Sequence, residues 1–326
     1  MLEDQGIPVL GFKGPALAMA VYGDLARRQY SDLDLVVRKE HLLQAVNAMR
    51  HGGFRLEPIV CRPRIIPCRG IPDNPRHLGA AREITFRAPD NTYFIDVHWE
   101  LAHGRSRLFS PEPANLWERT ENVALPLGSV STFRREDLFL ALCFHGTKHS
   151  WFRLKWLLDV AEMLRRPEPL DWSRIEEMTT IRPRAGLPAS VALLLARDLL
   201  GAPMPARSER ALRVTKRTFA VAAAIRDEIL GRGHTRESDA ATPWELEDRR
   251  WVRMKDAVTR AVSYPSGLFA QTVLEISPKD RALISLPKQV DLLYHVVRPG
   301  RLFAKHGIRA AGSFWSAVRR TIARAG

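Results

Sequence analysis

Two carboxylates separated by a single apolar residue, in Asp32-Leu33-Asp34-Leu35-Val36-Val37, are the part of this sequence best suited to chemistry. In a strand, residues i and i+2 share a face, so Asp32 and Asp34 converge while Leu33 and Leu35 turn into a core. Converging carboxylate oxygens suit a divalent metal. Upstream, Phe12-Lys13-Gly14-Pro15 sets a lysine and a glycine where a short strand gives way to a helix, an arrangement that makes an anion site. Downstream, Phe94, Asp96 and His98 share one face of an alternating run, and a third carboxylate joins the pair if that face meets the one bearing Asp32 and Asp34. His145 and His149 have the i, i+4 spacing of a helical metal pair. Gly146 stands where the zinc-protease motif carries Glu, so no zinc hydrolase is indicated.

The elements that must position these side chains follow from periodicity and punctuation. Residues 7–12 read as a buried strand, and Lys13-Gly14-Pro15 opens a helix through Tyr22, with Pro15 suited to the first helical position. Residues 32–38 form the second strand, 41–50 an amphipathic helix ended by Gly52-Gly53, and 54–56 a further short strand. The stretch 58–81, rich in Pro and Arg, has no periodicity and reads as a long loop whose arginines face phosphates. Residues 82–87 and 92–99 alternate around the turn Pro89-Asp90-Asn91 and are predicted to pair as an antiparallel hairpin. Residues 100–130 are loop-rich and mark a boundary between a core over 1–128 and a helical domain over 129–326. A helical stretch over 136–165, with a break near Ser150, is followed by helices predicted over 188–200, 208–231, 244–263 and 287–297.

With 326 residues, 45% of them hydrophobic, the chain can bury sizeable cores and exceeds what one compact domain usually holds. No apolar run approaches the ~20 residues of a membrane helix, and Met1-Leu2-Glu3-Asp4-Gln5 lacks the pattern of a signal peptide, which places the protein in the cytoplasm. Cys61, Cys68 and Cys143 are too few and too oddly placed for a disulfide framework or a four-ligand metal site, and read as reduced thiols. A formal charge of +14 attracts nucleotides, nucleic acids, acidic peptides or anionic lipids without choosing among them. Nucleic acid is not the expected partner, because no reading motif or aromatic stacking platform is present. The acid-free segment from Arg298 onward puts Phe314, Trp315, Val318 and Ile322 on one helical face. It reads as a docked C-terminal helix with a solvated basic face or, alternatively, as a peripheral membrane contact.

The ordered set of motifs resembles the polymerase-beta-like nucleotidyltransferase superfamily, and more closely its bacterial branch known as the uncharacterised nucleotidyltransferase family. The resemblance is carried by Gly6-Ile7-Pro8-Val9-Leu10, Phe12-Lys13-Gly14, Tyr22-Gly23-Asp24, Arg28, Ser31-Asp32-Leu33-Asp34-Leu35-Val36 and Ile95-Asp96-Val97-His98-Trp99. In the helical half it continues through His145, Lys148 and His149, then Trp156 with Asp159, Leu286-Pro287, Tyr294, Arg298-Pro299 and Arg301-Leu302, so that nearly the whole chain is spanned.

The resemblance implies an α+β fold, a mixed sheet flanked by helices followed by an all-helical C-terminal domain. It also implies a metal-dependent transfer of a nucleoside monophosphate from a nucleoside triphosphate to an acceptor, which the sequence leaves unidentified among small molecules, peptides and proteins. In this reading Asp32 and Asp34 bind Mg²⁺ or Mn²⁺, and Asp96 completes the metal site and helps to deprotonate the acceptor. Lys13, Gly14, Arg28 and Ser31 face the nucleotide, and His98, His145, Lys148 and His149 line the acceptor cleft. For Arg28 a surface ion pair is an equal alternative, for His98 a core position, for Lys148 a solvent-facing one, and for His145 and His149 interdomain packing. The broad superfamily carries Gly-Ser or Gly-Gly where Lys13-Gly14 stands here, and the resemblance also leads to an expectation of a helix ahead of the first strand. The alternative to an enzyme is a catalytically silent module that holds a nucleotide or peptide within a biosynthetic assembly.

Overall fold

The alternation in Asp32–Val37 is realised at the centre of a seven-stranded mixed sheet in a computed structural model of the chain. The structure describes residues 1–57, 60–61, 64–65, 83–99, 101, 116–149, 151, 153–181 and 183–231. Strand β1 (Val9–Gly11) leads into helix α1 (Gly14–Leu17), which winds on as a π turn over Ala18–Tyr22. Then follow β2 (Asp32–Val37), α2 (Leu42–His51) and β3 (Arg55–Leu56). The two short strands β4 (Val60–Cys61) and β5 (Arg64–Ile65) pair with each other apart from the main sheet. Strands β6 (Glu83–Arg87), β7 (Phe94–His98), β8 (Thr120–Leu125) and β9 (Gly128–Phe133) complete the sheet, in the order β3-β6-β7-β2-β1-β9-β8.

The two faces of β2 and β7 go to different cores, as a period of two requires. Leu33, Leu35, Val37, Ile95, Val97 and Trp99 pack on the side covered by α2, with Val46 and Met49. Leu10, Phe12, Val36 and Phe133 join the opposite core, which is shared with the helices that follow the sheet. Asp32 and Asp34, in step with Val36, lie on that helical side. Strand β7 runs parallel to β2 with Asp34 opposite Asp96, so the third carboxylate meets the pair. The hairpin predicted around Pro89-Asp90-Asn91 is present as β6 and β7, with Asn91 at φ 64° in its turn.

Residues 120–133 differ from the loop expected over 100–130. They form the antiparallel hairpin β8–β9, with Leu125 opposite Gly128, so that the Pro and Gly read as loop punctuation make its tight turn. Strand β9 pairs parallel to β1 through Gly11 and Thr132, and the Thr132 hydroxyl donates to the Gly11 carbonyl at 2.6 Å. The sheet therefore runs past residue 128 to Phe133.

After the sheet, the regular elements among the described residues are helical. They are α3 (Arg135–Lys148), α4 (Leu154–Arg165), α5 (Trp172–Ile181), α6 (Pro183–Leu200), α7 (Ser208–Ala211) and α8 (Lys216–Ile229). Helix α6 is apolar around much of its circumference, with Ala189 and Val191–Ala196 essentially inaccessible, as befits the central helix of a bundle. The stretch over 136–165 breaks between α3 and α4. Trp151 adopts φ 55°, its N–H donates to the Gly146 carbonyl at 2.8 Å, and its ring covers Gly146. The helix expected over 208–231 is likewise two, because Arg213 sits at φ 50° and Thr215 starts α8 with a capping box closed by Thr218. None of the described helices is long and apolar enough to cross a membrane. The helices predicted over 244–263 and 287–297, the basic C-terminal segment, the family motifs from Leu286 onward, Cys68 and most of the loop over 58–81 lie outside the described residues.

Candidate active site

The sheet face that carries the acids and the helices α3 and α4 enclose a cleft of about 290 Å³. Asp32, Asp34 and Asp96 line it together with Lys13, Arg28, Ser31, His98, His145 and His149. One predicted site residue is placed differently. Gly14 does not line the cleft; it sits at φ 59°, and a Cβ there would lie 2.8 Å from the Asp32 carbonyl, so glycine lets α1 start against β2. The side chain of Lys148 lies outside the described residues.

Asp34 is the hub. Its backbone carbonyl accepts from Phe12 N–H at 2.9 Å, which ties the end of β1 to β2 and brings Lys13 over the cleft. Lys13 Nζ and His98 Nε2 each reach Asp34 Oδ1 at 3.0 Å, and His98 Nδ1 lies 3.2 Å from a carboxylate oxygen of Glu83. Burial opposes the Asp34 charge most strongly, but Lys13 and His98 together outweigh it and hold the carboxyl well below the usual range. For His98 burial disfavours the charged ring, and the carboxylates of Asp34 and Glu83 outweigh burial and raise its pKa. Through its two nitrogens the ring faces two carboxylates, at 3.0 Å and 3.2 Å.

The acids next to this hub are less occupied. Asp96 accepts from the Thr85 hydroxyl at 2.6 Å through Oδ1. Its pKa is raised, first by burial, with the Thr85 bond opposing and the Asp34 charge adding to the rise. Among the described residues no donor reaches Asp96 Oδ2, Asp34 Oδ2 or either oxygen of Asp32. These carboxylate oxygens, gathered in one cleft, are the donor set a hard divalent cation takes. Ligand atoms of Asp34, Asp96 and His98 all lie within 4.8 Å of one another, although His98 could serve as a ligand only by releasing a carboxylate.

Arg28 follows a short 3-10 turn, Leu25–Arg27, which is capped by the Asp24 carboxylate accepting from Ala26 N–H at 2.9 Å. Its Nε and Nη2 donate to the two oxygens of Asp159 at 2.8 and 3.0 Å, and Tyr22 Oη adds a bond to Asp159 at 2.8 Å. Arg28 and Asp159 are both buried, so this is an interior pair joining the sheet half to α4, not a surface one. Asp159 thus takes its bonds from Arg28 and Tyr22. His145, His149 and Trp156 form a ring cluster with centroids 4.7–5.2 Å apart across the break between α3 and α4.

Glu83, Arg153 and Lys155 also line the cleft, and sequence reasoning did not find them. Glu83 was within reach, because counting back around the Pro89-Asp90-Asn91 turn sets it opposite His98. Arg153 and Lys155 depend on where α4 begins, which the Trp151 turn decides. No curated protein and no solved structure matches the chain. The model of a family described as uncharacterised nucleotidyltransferase matches residues 1–201, a stretch that contains every one of these side chains, and the chain belongs to that family.

Proposed function

We propose that the protein transfers a nucleoside monophosphate from a nucleoside triphosphate to an acceptor in a metal-dependent reaction. The observation that carries this reading is the cleft itself, where Asp32, Asp34 and Asp96 meet across two parallel strands with carboxylate oxygens that no described donor takes up. Asp32, Asp34 and Asp96 would hold Mg²⁺ or Mn²⁺, which supplies charge stabilisation at the attacking and leaving oxygens of an in-line displacement. Lys13 and His98 keep Asp34 ionised and fix its orientation. Asp96, anchored by Thr85, accepts the proton that the acceptor hydroxyl or amine gives up. The acceptor atom bonds to the α-phosphorus, the bond from that phosphorus to the bridging oxygen breaks, and pyrophosphate leaves with the electron pair. Ser31, Arg28 and Lys13 border the nucleotide, and His145 and His149 border the acceptor. Positioning and electrostatics are most of what such a reaction asks of a protein.

The measurement is transfer of label from each α-labelled nucleoside triphosphate to candidate acceptors with Mg²⁺ or Mn²⁺, alongside calorimetric binding of each triphosphate. Metal-dependent binding and transfer, both lost in Asp34→Asn, are the expected result. Absence of binding of all four nucleotides with either metal sinks the reading. A second reading, a catalytically silent nucleotide- or peptide-binding module, is favoured by Lys13 and His98, which already occupy one oxygen of Asp34. Nucleotide binding that ignores divalent ions, with no transfer to any acceptor, selects it.

A further inference from the structure

The wall of the cleft opposite the acids carries a cation that the acid cluster does not account for. Lys155 lies in the first turn of α4, half-buried, and lines the cleft beside Arg28 and Arg153. Among the described residues it has no hydrogen bond or salt bridge, whereas Lys13 is bound to Asp34 and Arg28 to Asp159. Burial and then Arg28 and Arg153 hold its ammonium below the ordinary lysine value, with Asp32 and Asp159 opposing them. The first turn of α4 contains no acid that could serve as a counter-ion. A half-buried cation crowded by two guanidinium groups is held at a cost, and an anion entering the cleft offsets that cost.

The anion must also suit the other wall, where carboxylates with unclaimed oxygens need cations and repel a bare anion. A polyphosphate meets both conditions, since a divalent ion can join its oxygens to the acids while other oxygens reach across to α4. Lysine suits the far end of such a contact, as a compact charge on a long flexible stem. We propose that Lys155 binds the polyphosphate tail of the nucleotide, so that the tail bridges the acidic sheet wall and helix α4. The inference rests on the reading of the cleft as a nucleoside triphosphate site, and it adds a residue of the helical half to that site.

The test is calorimetric titration of the full chain, in Mg²⁺, with inorganic tripolyphosphate and with each nucleoside triphosphate. Lys155→Met should weaken both tripolyphosphate and the preferred nucleotide by about tenfold or more, the usual worth of a charged hydrogen bond. Lys155→Arg should recover most of the loss. The exposed-site control Lys216→Met, which removes the same charge away from the cleft, should stay within about twofold of wild type, because solvent screens it. The thermal midpoint of Lys155→Met should be no lower than that of wild type, since the cation it removes is held at a cost, and this separates a lost contact from a folding defect. Wild-type affinity in Lys155→Met overturns the proposal, and so does an unchanged nucleotide affinity with a raised KM for the acceptor. A wild type that binds tripolyphosphate through Lys155 but no nucleotide keeps the anion site and sinks the nucleotide reading. A wild type that binds neither sinks both.

Discussion

Asp34 and Asp159 are both buried carboxylates held by cations on the same side of the sheet, yet their surroundings differ in one respect. Asp159 is saturated: Arg28 grips both oxygens and Tyr22 adds a third bond. Asp34 receives Lys13 and His98 on the same oxygen, and no described donor reaches the other. Burial without partners is costly for a charge, so a protein that needs only structure completes the set of donors. The incomplete set at Asp34, next to Asp32 and Asp96 with oxygens equally unclaimed, leaves coordination capacity for something that is not protein. The cation type fits the contrast. The planar guanidinium of Arg28 fixes two oxygens at once, whereas the Lys13 ammonium on its flexible stem can be displaced from one.

The contrast predicts opposite phenotypes for the same chemical change. Asp34→Asn should lower metal-dependent transfer on the order of a thousandfold, since the several kcal/mol of charge stabilisation that a metal supplies are lost with its ligand. Asp159→Asn should instead lower the free energy of unfolding by roughly 3–5 kcal/mol, because the Arg28 charge stays buried without its partner. Urea unfolding followed by circular dichroism reads that loss. Its residual activity should track the folded fraction. If Asp159→Asn unfolds as wild type does and yet transfers nothing, the division between a structural and a chemical carboxylate is wrong.

The sequence carried the sheet half of this contrast and missed much of the other. Alternation alone set Asp32 and Asp34 on one face and Asp96 and His98 on another, and pairing of two adjacent strands brings those faces into one, which is local physics. The partner of Asp159 was not legible, because Arg28 lies 131 residues away and no periodicity reports a contact of that span. The close approach of Gly14 to the Asp32 carbonyl was not legible either, because it is visible only once β2 is placed. Pro126 and Gly128 fall in a stretch that reads as loop, whereas they lie at the tight turn of a hairpin. Without knowledge of the β1 edge, nothing indicated that the turn joined two strands. The cationic wall was hidden for a related reason, since Arg153 and Lys155 face the cleft only because the chain turns at Trp151.

That turn offers a way to disturb the helical wall while leaving the Arg28–Asp159 pair chemically intact. A Cβ at Gly146 would lie 2.3 Å from the Trp151 ring, which is buried and has nowhere to retreat. Gly146→Ala should therefore destabilise the protein by about 1–3 kcal/mol, the usual range for overpacking, partly offset by the better helix propensity of alanine. If α4 shifts as Trp151 moves, affinity for tripolyphosphate falls more than stability alone explains. Differential scanning calorimetry and the titration described for Lys155 separate the two effects.

The smallest expected effect serves as the internal control. Cys143 is fully buried in α3, and burial pushes its thiol pKa well above the ordinary value. Raising an acid's folded pKa means that the protonated thiol stabilises the fold at neutral pH and that this stability declines as pH rises above about 9. At pH 8 the thiol is neither ionised nor accessible, so iodoacetamide should leave Cys143 unmodified in the native protein, as read by peptide mass spectrometry. Asp34→Asn should be equally protected, because the defect there is confined to the cleft. Asp159→Asn should be labelled faster, in proportion to its larger population of opened molecules, since the lost pair ties α4 to the sheet and α4 shares its core with α3. Equal labelling of the two variants would mean that the two carboxylates contribute alike to holding the helices in place, and the distinction drawn from their hydrogen bonds would not survive.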